Sequence, residues 1–209
     1  MKTLLLRATL LLLALAAPTF AAGVTPSPIP SADPNACSSH FQSTLSRPHS
    51  TLLVCKKVPN LTSTDGIGPG QLFVVQKVGA DDGQEEGEEG VTVSIYANEG
   101  ADSPLYRESG LGYDLIPFTF EKKKALFATF PLSGGRNAWL IRTFIQPNSM
   151  LTLKAFDPTQ KKFEAVSGSD SLVFSIADQV EVTSQSIRVL HRGSAPREFS
   201  FENGKLTPQ

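Results

Sequence analysis

After residue 50 the chain alternates apolar and polar positions with a period of two, the signature of half-buried strands. TLLVCKKV (51–58) opens this regime. In QLFVVQKV (71–78), Leu72, Val74, Gln76 and Val78 share one face, and in VTVSIYA (91–97), Val91, Val93, Ile95 and Ala97 do so. YDLIPFTF (113–120), ALFATFPL (125–132), NAWLIRTFI (137–145) and MLTLKAF (150–156) continue the pattern. KFEAV (162–166), SLVFSI (171–176), QVEVT (179–183), SIRVLHR (186–192) and REFSFEN (197–203) complete it. The segments between them, SGGRN, QPNS, DPTQKK, SGSD, GSAP and NGK, carry the residues that make tight turns. No apolar period of 3.6 residues is sustained beyond about ten residues after the N-terminal run. These features predict an all-β domain, a mostly antiparallel meander forming a sandwich or a barrel-like sheet, over residues 37–209. A sub-boundary is placed near 121–124. No repeat period supports a propeller.

The N-terminus reads differently. Lys2 and Arg7 precede an uncharged apolar run (8–17), followed by small residues with Thr19 and Ala21 at the positions a signal peptidase reads. This predicts a signal peptide over 1–21. Its apolar core is shorter than the roughly 20 residues of a membrane span, so no transmembrane anchor is expected after cleavage. AGVTPSPIPSADPNA (22–36) is rich in proline, serine and alanine and reads as an extended linker. The expected compartment is periplasmic or extracellular. The two cysteines, Cys37 and Cys55, are then expected to pair, closing a loop worth roughly 3 kcal/mol of chain entropy.

Charge narrows the functional classes. Without Lys2 and Arg7, 17 basic residues stand against 20 acidic ones, a balance that attracts neither nucleic acid nor an anionic membrane in bulk. Leu132-Ser133-Gly134-Gly135-Arg136 matches the signature that opens a nucleotide-binding helix in ATP-binding-cassette ATPases. Here NAWLIRTFI follows, which is a strand, and no G-x-x-x-x-G-K-[ST] loop is present. The motif is therefore expected to be a hairpin turn, with its glycines supplying positive φ. GADDGQEEGEEG (79–90) lacks the ligand spacing of a Ca²⁺ loop and reads as a solvated hairpin loop.

No metal site, cofactor or catalytic set is expected. His40, His49 and His191 are isolated along the chain, and Asp114 and Glu121 read as the solvated ends of one strand. Trp139, Phe144, Phe156, Phe199 and Phe201 sit on alternating strands and are expected in the core, the alternative being an aromatic platform for carbohydrate or protein. Asn60-Leu61-Thr62 is a glycosylation acceptor pattern where the secretory system glycosylates.

Two resemblances add to this reading. Residues 156–209, ending in Phe199-Ser200-Phe201-Glu202-Asn203-Gly204-Lys205-Leu206, resemble the tails of uncharacterised exported bacterial proteins and lipoproteins, which implies no activity. Ser109-Gly110-Leu111-Gly112-Tyr113 is similar to the Ser-Gly…Tyr loop of periplasmic lysozyme inhibitors, small β-proteins that insert this loop into the lysozyme cleft. That resemblance implies Ser109 and Tyr113 as contact residues. The expectation is a non-catalytic envelope or secreted binding or structural protein, with a protein or glycan of the cell envelope as partner. The alternatives are inhibition of a cell-wall hydrolase such as lysozyme, or an exported hydrolase.

Overall fold

A computed structural model describes residues 35–58, 71–79, 89–132, 136–157, 160, 162–169 and 172–209. The expected signal peptide, most of the expected linker, the Asn60 acceptor, residues 80–88 of the acidic run and Ser133-Gly134-Gly135 lie outside them.

Fifteen strands and one short helix make up the described chain. A first sheet has the order β1 (Ser50–Val58), β2 (Gln71–Val78), β3 (Gly90–Tyr96), β4 (Tyr106–Glu108). A middle sheet has the order β10 (Lys162–Ala165), β9 (Asn148–Asp157), β8 (Asn137–Ile145), β7 (Phe127–Pro131), with β11 (Val173–Ser175) also paired to β9. A third sheet runs β15 (Lys205–Pro208), β14 (Arg197–Glu202), β13 (Ser186–Leu190), β12 (Gln179–Val182), β5 (Phe118–Phe120), β6 (Lys123–Ala125). Every ladder is antiparallel except β5 with β12. Among the described residues the sheets are open, so the fold is a layered sandwich and not the barrel kept as an alternative.

Alternation decides the layering. On β8, Ala138 and Leu140 face the third sheet, packing with Leu151, Leu153, Val180, Val182, Ile187 and Val189. Trp139 and Ile141 face the first sheet, packing with Phe73, Val75, Val93, Ile95, Phe156 and Phe163. The middle sheet is thus buried on both faces, which is why NAWLIRTFI carries apolar residues on both of its faces. Trp139 is fully buried, with ring centroids 5.9 Å from Phe73 and 6.3 Å from Tyr106. Full burial of one such side chain stabilises by on the order of 2–3 kcal/mol.

The first sheet is covered on its other face by α1 (Ser39–Thr44), a helix too short for a 3.6-residue period to register in the sequence. Ser38 caps it, accepting from the Phe41 amide at 3.2 Å. Phe41 packs edge-on against Tyr96 at 5.3 Å, and Gln76 Nε2 donates to the Leu45 carbonyl at 2.8 Å. The face of β2 that carries Leu72, Val74 and Gln76 is therefore the one under the helix.

The Cys37–Cys55 disulfide is formed and ties this helix to β1. Asn35 and Ala36, the end of the expected linker, run beside β1: the Lys57 amide donates to the Asn35 carbonyl at 2.7 Å, and Ala36 pairs with Lys56. Replacing both cysteines with alanine is expected to cost about 2–3 kcal/mol, read as a lower denaturant midpoint. A loss below about 0.5 kcal/mol would mean that the β1 pairing and Phe41 packing already hold this segment.

Candidate functional site

YDLIPFTF was expected as one strand, and that expectation is corrected. Only Phe118–Phe120 is a strand, in the third sheet. Pro117 has no amide to donate, so the ladder breaks there. The preceding residues belong to a crossover that touches each sheet in turn. β4 pairs with β3, Tyr106 opposite Ile95 and Glu108 opposite Val93. The chain then crosses the start of β3: the Leu111 amide donates to the Val91 carbonyl at 3.0 Å, and the Val91 amide to the Gly112 carbonyl at 2.7 Å. Next it joins the end of β8, where the Tyr113 and Ile116 amides donate to the Phe144 and Arg142 carbonyls, each at 2.8 Å. The Phe144 amide returns a bond to the Asp114 carbonyl, also at 2.8 Å.

Two glycines permit this crossing. Gly90 has φ +103°, and a Cβ there would lie 2.3 Å from the Gly112 carbonyl oxygen. Gly112 has φ +121°, and a Cβ there would lie 2.8 Å from the Phe144 oxygen. No larger residue fits either place with the backbone as it stands.

The two expected contact residues are placed differently by this segment. Ser109 is half-buried and its Oγ accepts from Thr92 Oγ1 at 3.2 Å. Tyr113 is 57% exposed, its ring 6.2 Å from that of Phe144. It borders a cavity of about 490 Å³ between Glu89, Gly110 and the Ile145–Gln146 end of β8. Beside it, the Lys77 ammonium donates to Asp114 at 2.9 Å and holds that carboxyl below its ordinary range. Both side chains are about half exposed, so the pair contributes little stability.

A second polar cluster was not singled out in the sequence. Arg142 follows Ala138 and Leu140 on the face of β8 toward the third sheet, and is 3% exposed. Its Nε and Nη2 donate to Ser149 Oγ at 3.0 and 2.8 Å, and Nη2 also reaches the Ser175 carbonyl at 3.1 Å. Burial lowers its pKa, and the nearby Asp178 charge opposes that shift. Asp178 accepts from the Ser175 amide through Oδ2 at 3.1 Å, while Oδ1 lies 2.6 Å from His191 Nδ1. Asp178 is nearly buried and His191 is 56% exposed. Two signals could have found the cluster: a charge on an apolar face of β8, and the β12–β13 register. That register pairs Gln179 with Leu190 and so places Asp178 opposite His191. A histidine held by a buried aspartate through Nδ1 is half of a hydrolase arrangement. Among the described residues no hydroxyl bonds the other ring nitrogen.

The remaining candidates take structural places. Trp139, Phe156 and Phe199 are buried, and Phe144 and Phe201 are half-buried. Glu121 accepts from the Ser184 amide at 2.9 Å. His49 lies at the foot of β1 with φ 60°, its carbonyl accepting from the Gly79 amide, and His40 is exposed on α1. Pro131 pairs with Asn137, and the Leu132 amide donates to the Arg136 carbonyl at 2.7 Å, so the LSGG stretch joins two antiparallel strands. No group of three potential metal ligands gathers among the described residues, and no helix among them is long and apolar enough to cross a membrane.

No family model, curated protein or solved structure matches this chain. Its functional reading therefore rests on the chemistry of these two places.

Proposed function

We propose that this is a non-catalytic, extracytoplasmic binding protein whose contact surface centres on Tyr113 and whose partner is a protein or glycan of the cell envelope. One observation carries the reading: a tyrosine ring 57% exposed on a backbone hydrogen-bonded to β3 on one side and β8 on the other. A large amphipathic ring held this way loses little conformational entropy on binding, the property that makes tyrosine an interface anchor. The resemblance to lysozyme inhibitors favours a cell-wall hydrolase as the protein partner. In that case Ser109 acts by supporting the loop through Thr92, and Tyr113 makes the contact.

The test is a pull-down from the source cell's envelope extract, using disulfide-formed protein, followed by affinity measurements on the partner recovered. Tyr113→Ala is expected to weaken binding at least tenfold while moving stability by under about 0.5 kcal/mol, as for an exposed position. Ser109→Ala is expected to leave affinity within about threefold, less than 1 kcal/mol. Full affinity in Tyr113→Ala would remove Tyr113 from the contact surface and the proposal with it.

A further inference from the structure

We infer that the cavity between the β11–β12 turn and the β13–β14 turn binds an acidic sugar, with its carboxylate on Arg197 and a ring hydroxyl on His191. This site is separate from Tyr113 and stands on different observations. The cavity measures about 470 Å³, within the range of small-ligand sites, and Asn148, Val173, Asp178, His191, Ser194 and Arg197 line it, Asp178 being held by His191 and the Ser175 amide.

Arg197 supplies the cation. Its guanidinium carbon lies 5.1 Å from the centre of the Phe174 ring and 5.6 Å from that of Phe199. Contact with the two rings seats the group over apolar surface and leaves its N–H donors available to a carboxylate. The neighbouring Glu198 does not neutralise it, because Glu198 pairs with Arg188 at 2.9 Å.

His191 supplies the complementary group. An ionised Asp178 can only accept, so the 2.6 Å contact puts the imidazole proton on Nδ1. In the neutral ring Nε2 is then an acceptor, and among the described residues it makes no hydrogen bond. That ring nitrogen can pair with a hydroxyl, which both donates and accepts, whichever protonation state the imidazole holds. Asn148 and Ser194 add further hydrogen-bonding groups, while Val173, 39% exposed, gives an apolar edge for the carbon face of a ring. One cation, one ring nitrogen that pairs with a hydroxyl and an apolar edge describe a hydroxylated carboxylate the size of a uronic acid.

The experiment titrates glucuronic acid, glucose and lactate into the full exported chain with its disulfide formed, following the His191 ring resonances and the affinity. Glucuronate is expected to shift those resonances and to bind at least tenfold tighter than either glucose or lactate. Arg197→Gln is expected to bring glucuronate down to the affinity of glucose. Ser194→Trp, at an exposed turn position, is expected to fill the cavity and abolish binding with an unchanged melting temperature. Ser194→Trp decides the matter if Arg197→Gln disturbs folding. Glucuronate binding no tighter than glucose or lactate, or binding that survives Ser194→Trp, would overturn the inference.

Discussion

Gly90→Ala is expected to destabilise the protein by about 4 kcal/mol, combining a strained positive φ of 1–3 kcal/mol with a forced backbone displacement of similar size. The added Cβ would stand 2.3 Å from the Gly112 carbonyl oxygen, the same oxygen that accepts from the Val91 amide. The clash is with backbone, so no rotamer change relieves it. Moving the crossover away from β3 lengthens the Val91–Gly112 bond and loosens the segment that presents Tyr113. For a domain of this size the loss corresponds to a melting temperature lower by about 10 °C. Thermal unfolding of the variant checks it. A drop under about 3 °C would mean that β3 and the crossover can part without penalty, and that the close approach does not fix Tyr113.

Arg142→Met is expected to cost about 3 kcal/mol, although it exchanges a buried cation for an apolar side chain of similar reach. Removal of a desolvated charge is by itself favourable. Against it stand three acceptors left short of donors: Ser149 Oγ and the carbonyls of Ser175 and Ile176. Asp178 also loses its nearby positive charge. Adding Ser149→Ala should recover about 1 kcal/mol, because one stranded hydroxyl then disappears with its partner. Denaturant unfolding of the two single variants and the double variant measures that coupling. Strictly additive losses would mean that Arg142 stabilises through its methylenes and not through these bonds.

The strands were legible wherever alternation and burial agree. NAWLIRTFI was read with its observed bounds because both of its faces are buried and its ends fall in turns. QLFVVQKV is a strand as its alternation predicts, and Leu72, Val74 and Gln76 lie together under the helix, whereas Val78, grouped with them by the pattern, is not in that cluster. YDLIPFTF misled because it alternates as a strand does while running along the middle sheet and then into the third. Its break depends on Pro117, which outweighs the apolar pattern once the amide is needed. β4 and β6, of three residues each, are too short to show a period; they exist because neighbouring strands offer unpaired edges. At the candidate site, the exposure of Tyr113 and the half-burial of Ser109 follow from the clamp between sheets, which no local pattern encodes. Asp178 and His191 are thirteen residues apart and meet only through hairpin register.

The path from Tyr106 to Phe120 has a consequence for how the molecule comes apart. Because one short stretch is bonded to three sheets in succession, it acts as a stitch through the layers. Peeling off the first sheet strains its attachment to the second, and opening the second pulls on β5 in the third. Partial opening is therefore penalised, and the three sheets are expected to unfold together in one transition.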